Sequence, residues 1–88
     1  MTVTLAPNGD TSNLIEKDLG GQTRNIFTLP LSKPAVVALL RELLADPNQT
    51  NVTAAPVMVE RMRDGVRVHH SRANFMIQWG YLFPILES

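Results

Sequence analysis

The sequence predicts an α+β fold: a mostly antiparallel sheet of about five strands, with one principal amphipathic helix at residues 32–46 packed on one face. Three stretches point there. "SKPAVVALLRELLADP" carries the clearest helical apolar period. "VMVERMRDGVRVHH" sets valines on either side of Asp64-Gly65, a favoured hairpin turn. "NFMIQWGYLF", residues 74–83, puts Phe75, Ile77, Trp79, Tyr81 and Phe83 at every second position.

The elements follow in order. "TVTLA" alternates Val3 and Leu5 with threonines, the pattern of a short strand with one buried face. Asn8-Gly9 is a turn signal, since both residues tolerate positive φ. "TSNLIEKDL" is weakly patterned and reads as an edge strand that ends at Gly20-Gly21. "NIFTLPL" supplies Ile26, Phe27, Leu29 and Leu31 to a further strand. Pro30 cannot donate to a ladder, so that strand ends there or lies at an edge.

In the helix, Ser32 is placed to cap the N-terminus, and Pro34 sits in the first turn, where a missing N–H costs nothing. Val36, Leu40, Leu43 and Leu44 share a face, with Val37 and Leu39 beside them. Pro47 stops the helix, and Arg41 and Glu42 form its solvent side. "NQTNVTAAP" reads as a polar loop. Its two sequons, at Asn48 and Asn51, fit a turn rich in side-chain-to-backbone hydrogen bonds.

Residues 56–64 admit two readings. One is the first strand of the hairpin. The other is a short helix opened by Pro56 and closed by Gly65, with Val59 and Met62 inward. The β-branched residues favour the hairpin. For residues 74–83, a helix puts Gly80 in its interior and Pro84 in its last turn, both unfavourable. A long central strand is therefore expected, with its aromatic face against the helix.

Composition narrows the function. Eighty-eight residues, 44% of them apolar, make one small globular domain. The chain has no cysteine, which excludes disulfides, thiolate metal sites and cysteine nucleophiles. That absence, and an N-terminus without the features of a signal peptide, point to the cytoplasm. No apolar run is long enough to span a membrane. There is no P-loop, GxGxxG, GxSxG or HExxH motif, so neither an enzyme nor a cofactor is expected. His69 and His70 are adjacent, so on a strand they point to opposite faces and cannot chelate one metal together.

Eight basic residues balance eight acidic ones, so bulk attraction to nucleic acid is absent. Residues 61–72 nevertheless hold Arg61, Arg63, Arg67 and Arg72 against one aspartate. With a loop at 63–65, Arg61 stands opposite Arg67, an arrangement that calls for an anion between them. With a two-residue loop, Arg61 opposes Val68 instead. The even-numbered face of 74–83 is not cleanly polar, and Met76, Gln78 and Leu82 become candidates for self-association.

The expected function is a small non-catalytic protein-interaction module. It would form a homo-oligomer, with the arginine-rich hairpin as its contact surface and an acidic protein as a further partner. The alternative is a small nucleic-acid- or anion-binding protein that uses the four arginines.

Overall fold

The computed structural model describes residues 1–87. Seven strands form two antiparallel sheets, joined by two helices. The first sheet contains β1 (Thr2–Asn8), β2 (Thr11–Lys17) and β3 (Thr23–Leu29), in that spatial order. Helix α1 (Lys33–Ala45) follows. The second sheet is a meander of β4 (Asn51–Ala54), β5 (Val57–Arg61), β6 (Gly65–His70) and β7 (Ala73–Gln78). Helix α2 (Trp79–Glu87) ends the described chain.

The α+β class and the antiparallel pairing agree with the sequence reading; the count of about five strands and one helix does not. β2 is the centre of its sheet rather than an edge. Its inward residues are Ser12, Leu14 and Glu16, of which only Leu14 is large and apolar, so the hydrophobic alternation is faint. Ser12 is fully buried and satisfied, its Oγ donating to the Leu31 carbonyl at 3.0 Å.

The expected polar loop at 48–56 contains β4. Only Val52 and Ala54 face inward on this four-residue edge strand, too few to show a period. Val52 stands opposite Val59, and Ala54 opposite Val57.

The long C-terminal strand is the largest correction. It stops at Gln78, and the chain turns into α2 at Trp79. Tertiary contacts decide this against local propensity. The Trp79 backbone N–H donates to the Asp64 carbonyl at 3.2 Å, and its indole N–H donates to the Arg63 carbonyl at 2.9 Å. Both bonds pin the first turn of α2 to the β5–β6 loop. Within the helix Leu82 and Ile85, three apart, fall on the core face. Trp79 and Phe83, four apart, stack with ring centroids 6.3 Å apart. Pro84 removes the hydrogen bond that the Gly80 carbonyl would accept, but Gly80 is exposed and water can reach that carbonyl. The aromatics therefore do not share one buried face: Phe75 lies on β7, half-buried, whereas Phe83 is 51% exposed on α2.

Helix α1 forms as its sequence indicates. Ser32 Oγ accepts the Ala35 N–H, and Val36, Leu39, Leu40 and Leu43 are buried. The helix lies on β4 and β5, α2 lies near β6 and β7, and both helices also reach β1. One continuous core joins the helices to the inward faces of both sheets.

Candidate interaction surface

The register of the four-stranded sheet sorts its side chains into two faces. Val52, Val57, Val59, Val66, Val68 and Ile77 point inward and are buried under the helices. The residues between them point outward. One outward row runs Asn51, Glu60, Arg67, Met76 across the four strands. The next runs Thr53, Met58, His69, Asn74. At the β6 end, Gly65 stands opposite Gln78.

Two polar contacts fix this outer surface. His69 Nε2 lies 3.1 Å from Glu60 Oε1, and both side chains are half-buried. The Arg67 guanidinium donates to Asn74 Oδ1 at 2.6 Å and stands directly across from Glu60. An acid, a guanidinium and an imidazole thus lie side by side, flanked by the half-buried Met58 and Met76. Methionine at an open sheet face is a soft, adaptable contact group.

The four arginines singled out from the sequence do not converge. The β5–β6 ladder ends at the Arg61–Val66 pair, which leaves the four residues 62–65 as the connection, and Glu60 opposes Arg67. The expected Arg61–Arg67 opposition is absent, because these residues lie on opposite faces. Arg61 points inward and works as a helix cap. Its Nη2 donates to the carbonyls of Leu43 at 2.6 Å and Asp46 at 2.9 Å, and its Nε to that of Gln49 at 3.0 Å. These groups close the C-terminal end of α1, which has no basic residue in its own last turn. Arg41 does the same for α2, donating to the Leu86 carbonyl at 2.6 Å. Arg63 lies in the β5–β6 loop and Arg72 in the β6–β7 turn, at opposite ends of β6. A six-residue strand separates them by about 20 Å, so one small anion cannot meet both.

Of the residues considered for self-association, Met76 and Gln78 lie on the outer face, half-buried and exposed respectively. Leu82 is fully buried in the core, because the chain has already become helical there. Met58 belongs to the surface but was not singled out from the sequence; its spacing of two from Glu60 was the available signal. His69 and His70 do point to opposite faces, and His70 Nδ1 is buried without a hydrogen-bond partner among the described residues.

Among the described residues, no group of three or more acidic or histidine side chains is placed to hold a metal ion. No helix there is long and apolar enough to cross a membrane. No protein-family model, curated protein or solved structure matches the chain.

Proposed function

We propose that this protein is a non-catalytic interaction module that pairs with a second copy of itself through the outer face of the four-stranded sheet. The observation that carries the reading is the row Glu60–Arg67, with His69 beside it and Met58 and Met76 around it. Both helices are occupied on the inner face. The outer face presents an acid and a base at neighbouring positions, a pattern that is self-complementary about a two-fold axis. Rotation about such an axis brings Glu60 of one copy to Arg67 of the other and the reverse. The methionines supply apolar contact at the centre of the patch. The lack of cysteine agrees with a reducing compartment, and we place the module in the cytoplasm.

A four-stranded face of this length measures about 20 Å on each side. That is smaller than a standard interface, so the dimer is weak, with a Kd on the order of tens of micromolar. Sedimentation equilibrium tests this. The wild-type chain dimerises over the range of about 5 to 200 μM, and Arg67→Glu stays monomeric while keeping its circular dichroism spectrum. A wild-type chain that is monomeric throughout that range ends the proposal.

A further inference from the structure

β1 is a free edge of the three-stranded sheet, on elements apart from the outer face of the four-stranded sheet. Asn8 and Thr11 flank the two-residue turn Gly9-Asp10 and stand opposite each other in the β1–β2 ladder. Residues that close such a hairpin exchange both of their backbone hydrogen bonds. Stepping back by twos, Ala6, Thr4 and Thr2 direct their backbone groups toward β2. Pro7, Leu5 and Val3 direct theirs away. Pro7 agrees with this phase, since a ring nitrogen without a proton fits a paired strand only on its open side. β1 is an edge of its sheet, and the backbones of Val3 and Leu5 bond to no other element among the described residues.

Beside these backbone groups lies a cleft of about 260 Å³, lined by Val3, Thr4, Leu5, Lys33, Pro84 and Ile85. Its walls are mainly apolar. Lys33, the first residue of α1, is its one charged group, and the Lys33 side chain has no ion-pair or hydrogen-bond partner among the described residues. The cleft is smaller than the usual range for drug-sized ligands and has room for one or two side chains. Unpaired strand groups beside a side-chain pocket are the two parts of strand-addition recognition.

We propose that the β1 edge binds an extended acidic peptide segment. In that segment an apolar residue and a glutamate or aspartate, two positions apart, point into the cleft. Side chains two apart share a face of a strand, so one enters between Leu5, Pro84 and Ile85 while the carboxylate meets the Lys33 ammonium. The peptide backbone pairs with the N–H and C=O groups of Val3 and Leu5. The polar cleft at the β2–β3 turn, lined by Glu16, Asp18, Gln22, Thr23 and Arg24, already carries two carboxylates and does not suit an acidic strand.

The probes are two acetylated and amidated pentapeptides, Thr-Val-Thr-Glu-Thr and Thr-Glu-Thr-Val-Thr, which cover both strand directions. They are titrated into nitrogen-15-labelled protein, with amide shifts and hydrogen exchange as readouts. At least one is expected to bind with a Kd of about 1 mM or tighter. The amides of Val3 and Leu5 should shift and exchange more slowly, while that of Ala6, already bonded to β2, stays unchanged. Glutamine in place of the peptide glutamate should weaken binding about tenfold, as should Lys33→Glu, whereas Lys33→Arg should retain it. Four results overturn the proposal: no binding by either peptide, equal binding of the glutamine analogue, protection at β3, β4 or β7 instead, or equal binding of a glutamate-free peptide through a free C-terminal carboxylate.

Discussion

The two faces of the four-stranded sheet are made by the same strands, one residue out of phase, and the side chains at their centres differ in chemistry. The inner face is centred on Val52, Val57, Val59, Val66, Val68 and Ile77, all buried. The outer face mixes Met58, Glu60, Arg67, His69 and Met76, half-buried and joined by polar contacts. On the inner face, close packing against two helices leaves little choice beyond β-branched shapes. Among the described residues, no layer of this chain packs on the outer face, so no such demand acts there. Arg61 and Arg67 sharpen the contrast. They lie six residues apart in a hairpin, yet one closes a helix inside the fold and the other stands beside Glu60 on the surface.

Substitutions that cross this boundary test it. The largest difference is expected between neighbours on β7. Ile77→Ala should cost about 2–5 kcal/mol of unfolding free energy, because it leaves a cavity under the helices. Met76→Ala should cost less than about 1 kcal/mol. Urea denaturation of both variants measures this, and equal losses would break the assignment of faces.

Next in size is the arginine pair. Arg61→Met leaves the Leu43, Asp46 and Gln49 carbonyls, partly shielded from water, without their charged donor and should cost about 1–2 kcal/mol. Arg67→Met should stay within about 0.5 kcal/mol. If Arg67 proved the costlier of the two, the outer face would be part of the fold's support.

The smallest change lies in the turn between β6 and β7 and belongs to neither face. Ser71 has φ 58°, a left-handed conformation at a hairpin position that favours glycine. Ser71→Gly should raise stability by about 0.5 kcal/mol and leave self-association unchanged. A loss of stability would mean that the serine side chain contributes more than the backbone strain costs.

How much of this was legible follows from the same contrast. Alternation over Val57–Val59 and Val66–Val68, with Asp64-Gly65 between, announced the hairpin, and the capped leucine-rich helix announced itself. The register depended on a connection of four residues, 62–65, one longer than the loop at 63–65, and that extra residue separated Arg61 from Arg67. Gly65 belongs to both turn and strand: it is the last residue of that connection, and it pairs with Gln78 of β7. A Cβ there would overlap the Ile77 carbonyl oxygen, so the glycine is needed for close approach. The helix at 79–87 was hidden because the period of two in Phe75, Ile77, Trp79, Tyr81 and Phe83 is real in the sequence. Only contacts with distant residues, the Arg63 and Asp64 carbonyls, end the strand after Gln78. Of the surface, Arg67, Met76 and Gln78 were visible, while Glu60, His69 and Met58 became partners only through the register.

The most direct test of the outer face is a charge-swap mixture examined by sedimentation equilibrium. Arg67→Glu and Glu60→Arg should each be monomeric alone, since each sets like charges against one another across the two-fold axis. Mixed in equal amounts, they should recover the wild-type dimer, because every contact again joins an acid to a base. A mixture that remains monomeric beside a dimeric wild type would contradict the proposed pairing of Glu60 with Arg67.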